Sequence, residues 1–358
     1  MKANNLKVGI VTFHRALNYG ANLQAFALNS YINQLGYDCE IIDLYPNNAG
    51  RPSNNVIRRL LSSVKSIMIL CIDKRIRRFT KFQKDNYKIS LEKYYGDVDM
   101  EEASQLYDVL ISGSDQILNT TLTGDTKSYY LTFDNTAKKI SYGSSFGRTS
   151  ISDTECSLID SELVKFSSLS VRERSGQAII EQRIGVGSTL VLDPVFLLSK
   201  ENWEKKATKC KVNGKYILVY AMETTELLNN AVKYICDSLK LPVYIIYGCT
   251  KRFVNSWKVV ENCGPSEFLS YIMGASIVIT NSFHGTAFSI IFEKQFVCVS
   301  HSTRNSRLEN IMELIGKQDK LLKKEDAIPE IIDGKEATIA IYPYIDSSKD
   351  YLMDALKA

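Results

Sequence analysis

Ile277-Val278-Ile279-Thr280-Asn281-Ser282-Phe283-His284-Gly285-Thr286-Ala287-Phe288-Ser289-Ile290-Ile291-Phe292 is the stretch on which the fold turns. Its first four residues are an uninterrupted β-branched run, the pattern of a strand buried on both faces. Thr286 to Phe292 is mostly apolar and reads as a buried helix. Between them lies a short polar loop, Asn281 to Gly285, so a helix opens directly behind the carboxyl end of a buried strand. Backbone N–H groups at such a helix start favour an anion, and Ser282 and the His284 imidazole can add side-chain donors. Ser282 as a plain N-cap and His284 as a buried, satisfied histidine is the competing reading. The place of the loop at a strand's carboxyl end favours function.

The same alternation of short β-rich runs with helical patterns extends in both directions, which predicts α/β architecture with largely parallel sheets. In the first half the expected strands are Lys7 to Phe13, Asp38 to Leu44, Tyr107 to Ser112, Lys139 to Ser144, Leu169 to Arg172 and Thr189 to Leu192. In the second they are Lys215 to Ala221, Pro242 to Tyr247, Lys258 to Val260, Ser276 to Thr280 and Gln295 to Val299. A Lys-rich polar passage, Ser199 to Val212, marks the expected break, giving one βα domain over 1–199 and a second over 200–335, with a tail and helix over 336–358. With 358 residues, 45% hydrophobic and 23% charged, the chain has material for two such cores and excludes disordered, collagenous and mini-protein classes.

No apolar run approaches the ~20 residues of a membrane-spanning helix, and the polar start, Met1 to Lys7, has no signal-peptide core. A cytoplasmic protein is expected. Eight cysteines without a C-x-x-C pair suggest neither a disulfide framework nor a zinc site. Charge is uneven. Between Val56 and Ser90 ten Lys or Arg face only Asp73 and Asp85, a local +8 within a chain whose net charge is +4. Val56, Leu60, Val64 and Cys71, with Ile57, Leu61, Met68 and Ile72, have helical spacing, so 56–90 reads as a basic helical insertion. A solvated surface helix is the ordinary reading. Peripheral contact with an anionic membrane, on its inner face, is the sharper one.

Asp97-Val98-Asp99, expected in a polar loop, resembles a D-x-D metal motif too short to weigh. Gly185-Val186-Gly187 lacks the third glycine and the helix of a dinucleotide fingerprint. The sequence contains no P-loop, no G-x-S-x-G elbow, no H-E-x-x-H and no recognisable nucleic-acid module, so no nucleic-acid partner is expected.

The loops behind the strands carry an ordered series: Asn18-Tyr19-Gly20-Ala21-Asn22-Leu23-Gln24-Ala25, Gly113-Ser114-Asp115-Gln116, Ser141-Tyr142-Gly143-Ser144-Ser145-Phe146-Gly147, Ser170-Val171-Arg172-Glu173, Asp193-Pro194 and Ser282-Phe283-His284-Gly285. In this order, spread from about Val8 to Gly316, they resemble the polysaccharide pyruvyltransferase family. The resemblance implies a GT-B-like fold, two Rossmann-like domains facing across a cleft, the first on the acceptor side and the second on the donor side. The terminal helix from Asp346 to Leu356 would then pack back on the first domain. It implies transfer of pyruvate from phosphoenolpyruvate onto two hydroxyls of a sugar as a cyclic ketal, in cell-surface or exopolysaccharide biosynthesis. Phosphoenolpyruvate is the donor substrate and no cofactor or resident metal is called for. The acceptor would be a sugar, a lipid-linked oligosaccharide among the candidates.

That chemistry needs groups to hold a carboxylate and a phosphate, an acid to protonate the methylene carbon and a base for the attacking hydroxyl. His284 is the expected phosphate contact or proton carrier, Arg172 the bidentate anion ligand and Asp115 the base. Asn18, Tyr19, Gly20, Gln24, Gly113, Ser114, Gln116, Ser144, Ser145, Glu173, Asn281, Ser282 and Gly285 complete the expected binding loops. Arg304 and Arg307 would add positive charge, with ordinary surface arginine as the equal alternative. One departure stands out: some members of the family carry an Arg shortly before the histidine, where this chain has Asn281, Ser282 and Phe283. Two rival readings are a nucleotide-sugar glycosyltransferase of the same fold and a non-catalytic relative.

Overall fold

A computed structural model of the chain describes residues 6–45, 73–123, 127–253, 257–303, 305–325 and 327–357. The apolar positions of the expected insertion from Val56 to Ile72, with Arg58, Arg59 and Lys65, lie outside the described residues, as does Arg304.

The chain divides into two compact units, one built from 1–17, 21–197 and 347–358, the other from 18–20 and 198–346. In the first, the elements run β1 (Lys7–Val11), α1 (Tyr19–Gln34), β2 (Asp38–Tyr45), α2 (Lys74–Asn86), β3 (Ile89–Tyr95), α3 (Gly96–Ser104), β4 (Val109–Ser112), β5 (Lys138–Ser141), α4 (Asp153–Glu162), β6 (Ser170–Val171), α5 (Arg174–Ile184) and β7 (Thr189–Leu190). Strands β1 to β5 form one sheet in the order β3-β2-β1-β4-β5, every pairing parallel. β6 and β7 pair separately, and bridges from Ser144 to Asp115 and to Val171 stitch the loops behind β4, β5 and β6 together. Because side chains alternate across a strand, Leu110 enters one core with Ile42, Phe146 and Ile159. Val109 and Ile111 enter another with Leu28, Ile32 and Leu352.

The second unit repeats the plan with β8 (Ile217–Ala221), α6 (Glu226–Leu239), β9 (Val243–Tyr247), β10 (Lys258–Val259), α7 (Pro265–Gly274), β11 (Ile277–Thr280), α8 (Phe283–Ile291), β12 (Gln295–Cys298), α9 (Ser306–Leu314) and α10 (Gly334–Lys357). Its sheet, β10-β9-β8-β11-β12, is again wholly parallel and has the same order relative to the chain. Ile217, Val219, Ile277, Ile279 and Val297 share a core with Leu228, Val232 and Ile235 of α6.

Several expectations are corrected. The terminal helix begins at Gly334, passes through Pro343, and changes unit at Ser347. Its last turns belong to the first unit: Tyr351 Oη donates to the Ser141 carbonyl at 2.9 Å and Ser348 Oγ accepts from Leu192 N at 2.9 Å. Strand β3 was not anticipated. It is an edge strand whose Leu91 is 98% exposed, so it lacks the buried apolar run that marks its neighbours. Asp97 and Asp99 lie on α3, where Asp99 accepts from Tyr95 N and Asp97 from Ser128 N, each at 2.8 Å, so both tie down local backbone.

Within the basic segment, α2 is present, capped by Asp73, with Phe79 and Phe82 buried. Phe82 meets Phe26 edge-on at 5.8 Å, and Gln83 Nε2 donates to the His14 carbonyl at 2.9 Å. The apolar face of α2 is thus consumed by the protein itself, leaving Lys74, Arg77, Lys81 and Lys84 exposed, while Arg75 is half-buried and donates to the Leu17 carbonyl at 3.1 Å. No helix among the described residues is long and apolar enough to cross a membrane.

Candidate functional site

In an open parallel sheet the ligand crevice opens where strands on either side of a switch point leave in opposite directions. The strand orders place these points behind β1 and β4 in the first unit and behind β8 and β11 in the second. All three histidines of the chain fall just past a strand end: His14 after β1, His284 after β11 and His301 after β12.

Behind β4, Asp115 adopts a left-handed backbone, φ 78°, an unusual state for a residue with a side chain. Its Oδ1 accepts from Gln116 N at 2.9 Å and from Arg172 Nη2 at 3.0 Å. Arg172, which follows β6, is buried and also pairs with Asp193, while its Nε lies 3.8 Å from Glu173 Oε2. Burial alone would lower the guanidinium pKa; Asp193, Asp115 and Glu173 outweigh it and hold it above the ordinary arginine value. Arg172 is therefore a hub for three carboxylates, Asp115, Glu173 and Asp193.

The loop residues around it are likewise internal. Ser145 Oγ donates to Glu173 Oε1 at 2.6 Å, and Ser144 Oγ is within 3.0 Å of the Ser112 and Gly113 carbonyls. Ser114 Oγ donates to the Gly143 carbonyl at 3.0 Å. Gln24 Nε2 donates to Thr12 Oγ1 at 2.9 Å, which donates to the Ser114 carbonyl at 2.9 Å. Gly113 faces Thr12, whose Cβ would lie 3.0 Å from an added Cβ, and Gln116 packs under Gly147. Of the first-unit residues expected to bind, Asp115 keeps partial exposure, 14% of its side chain; Gln24, Ser114, Gln116, Ser144, Ser145, Arg172 and Glu173 are buried.

Sequence reasoning did not join the polar loop behind β1 to Asp43 on β2. Asp43 Oδ1 lies 3.1 Å from His14 Nε2 and 2.8 Å from Arg15 Nε, while His14 Nδ1 faces the Thr12 carbonyl. Burial would raise the Asp43 carboxyl, yet the hydrogen bonds from His14 and Arg15 hold it below the usual carboxylate range. The Arg15 guanidinium covers the Tyr45 ring at 3.8 Å, and Tyr45 stacks on Tyr95 at 4.7 Å.

In the second unit, Asn281 joins the two strands of the switch point: its Oδ1 accepts from Met222 N at 2.8 Å and its Nδ2 donates to the Glu223 carbonyl at 3.0 Å. Ser282 is the N-cap of α8, accepting from Gly285 N at 3.4 Å, as the competing reading held. His284 follows in the first turn, 7% exposed, with Phe283 edge-on at 5.1 Å. Gly285 lets the helix start approach β11, since a Cβ there would meet Thr280 Oγ1 at 2.3 Å.

Asn18, Tyr19 and Gly20 belong to this unit, Asn18 half-buried and Tyr19 buried. Glu223 and His301, also missed, meet only through the fold: His301 Nδ1 lies 3.4 Å from Glu223 Oε1, and Glu223 accepts from Ser302 N and, at 2.7 Å, from Ser302 Oγ. The signal that would have found His301 is its place directly behind β12. Arg307 is half-buried in the first turn of α9. Among the described residues no group of three or more His, Cys, Asp or Glu is disposed to hold a metal ion.

Two five-stranded parallel sheets of one strand order, each with its polar loops at the carboxyl ends, define a protein of GT-B-like fold. The chain belongs to the polysaccharide pyruvyl transferase family, whose model matches residues 18–303. No curated protein matches it in sequence. Among solved structures it is similar in fold to a UDP-GlcNAc 2-epimerase of Methanocaldococcus jannaschii, with 13% identity and a TM-score of 0.52 over 94% of this chain and 99% of that one. It is similar also to HepE of Anabaena, solved in complex with UDP and glucose, with 9% identity and a TM-score of 0.53 over 99% of this chain and 100% of that one.

Proposed function

We propose that the protein transfers pyruvate from phosphoenolpyruvate to two hydroxyls of a sugar, forming a cyclic ketal and releasing inorganic phosphate. The observation that carries this reading is His284 in the first turn of α8, behind the switch-point strand of the second unit, in a chain of the pyruvyl transferase family.

A helix start offers N–H groups and a partial positive charge to a phosphate, and an adjacent imidazole can donate to the same anion or carry a proton. The donor is assigned to the second unit on this ground. A proton delivered to the methylene carbon makes it a methyl group and leaves the central carbon electrophilic. One sugar hydroxyl adds there, losing its proton to a base; phosphate departs with the C–O bond pair; the second hydroxyl closes the ring and its proton leaves with the phosphate. The acceptor is assigned to the first unit, where Asp115, fixed by Arg172 and partly exposed, is the candidate base.

Thermal unfolding with phosphoenolpyruvate, with UDP and without ligand tests the donor, because a ligand that binds only the folded state raises its melting temperature. The expected result is a rise with phosphoenolpyruvate that His284→Ala abolishes. A rise with UDP alone would replace this reading with a nucleotide-sugar transferase. Incubation of phosphoenolpyruvate with candidate glycans, read by mass spectrometry for a pyruvyl ketal, then identifies the acceptor.

A further inference from the structure

We propose that Tyr19 and Gly20 are positioning residues for His284: the Asn18–Gly20 segment is built into the second unit so that the missing side chain of Gly20 forms the seat of the His284 imidazole. A Cβ placed on Gly20 would lie 2.0 Å from His284 Nδ1, 2.2 Å from Cε1 and 2.5 Å from Cγ. Those distances are far shorter than any van der Waals contact, so the ring occupies the space a side chain would need and packs against the Gly20 backbone.

Two alternative reasons for a glycine here fail. Gly20 is absent from the glycines with positive φ, so the backbone does not require it. It also sits in the first turn of α1, where alanine is the better helix former. Space for the imidazole is the remaining reason.

Tyr19 fixes the seat in place. Its ring stacks on Phe268 at 4.6 Å with 10° between planes and meets Tyr220 edge-on at 5.8 Å. Its hydroxyl donates to the Cys263 carbonyl at 3.0 Å, and the residue is 2% exposed. From the other side, Gly285 seats the start of α8 against Thr280. The imidazole is thus held between the backbone of Gly20 and its own helix start, with the Phe283 ring against its edge. A segment more than two hundred and fifty positions away in sequence becomes part of the histidine's surroundings.

The inference rests on the reading of His284 as the donor-side group, but its first readout needs no donor. With three histidines in the chain, imidazole NMR resolves each one. Gly20→Ala is expected to move the His284 resonances and leave those of His14 and His301 in place, and to weaken phosphoenolpyruvate binding at least tenfold. Tyr19→Phe, which keeps the stack and loses the hydroxyl, is expected to give a smaller displacement in the same direction.

In the His284→Ala background the obstructing ring is gone, so Gly20→Ala should no longer lower the melting temperature. Wild-type His284 resonances in Gly20→Ala, or an equal destabilisation with and without the ring, would overturn the proposal. Where Gly20→Ala alone does not fold, the double variant decides: folded supports it, unfolded overturns it. If the His284 resonances move but the unsubstituted protein does not bind phosphoenolpyruvate, the positioning stands and the donor reading falls.

Discussion

Asp115 Oδ1 and Arg172 Nη2 lie 3.0 Å apart, and the aspartate that makes this bond does so from a left-handed backbone at φ 78°. Residues held in sparsely populated backbone states persist where their surroundings over-determine them, and they gather at functional sites. Here the surroundings are named: Arg172, itself held by Asp193, together with Gln116 N and the bridge to Ser144.

Removing Arg172 strands buried Asp193 and Glu173 and partly exposed Asp115. Arg172→Met should cost about 3–5 kcal/mol, the penalty for breaking a buried ion pair from one side. Arg172→Lys retains the charge but reaches fewer of the three partners, and should recover only part of the loss. Urea unfolding of both variants measures the difference.

Asp115 carries a geometric cost that asparagine tolerates and alanine does not. Asp115→Asn should therefore be more stable than Asp115→Ala by about 1 kcal/mol, since asparagine accepts the left-handed state and can still accept the bond from Arg172. Both variants should lose ketal formation if the carboxylate is the base. Melting temperature and product yield read the two effects separately.

Glu155 gives the first unit an acid-side limit. The carboxylate is buried and accepts from Thr120 N at 2.9 Å and Ser152 N at 2.7 Å, with Arg148 as its ion-pair partner. Burial would raise its pKa, but the Arg148 and backbone bonds outweigh it and hold it below the ordinary 4.5. A carboxylate with a depressed folded value adds stability above its unfolded value and loses it as pH falls through the folded one. Stability should thus decline below about pH 4.5. Glu155→Gln should be less stable at pH 7 by roughly 2 kcal/mol and should show a shallower acid decline.

Leu352 tests whether the terminal helix is part of the first core. It is fully buried and packs with Leu28, Ile32 and Val109. Leu352→Ala should cost about 2–5 kcal/mol by loss of transfer energy and creation of a cavity. An exposed change on the same helix, Tyr342→Ala, should cost far less. Paired denaturation curves of the two variants decide it.

The βα alternation was readable because strand and helix periods are local properties. Buried parallel strands announce themselves as runs such as Ile277 to Thr280, and eleven of the twelve strands among the described residues fall on stretches that read as strands in the sequence. β3 escaped because an edge strand with an outward Leu91 need not be apolar. The candidate loops were also legible, since they stand behind those strands and in the family's order.

Their partners were not. Arg172 looks in sequence like an anion ligand, and only the convergence of Asp115, Asp193 and Glu173 on it turns the guanidinium inward. Glu223 and His301 are separated along the chain and share no spacing that would join them. The sequence by itself determined two parallel βα units and the series of polar loops at their strand ends, because periodicity and local turn chemistry act over a few residues. Tertiary structure alone decided that Tyr19 and Gly20 serve the second unit, that the helix which returns to the first unit begins as far back as Gly334 in the second, and that Gly20 makes room for His284. Those are long-range packing relations, set by which surfaces exclude water together, and no local pattern encodes them.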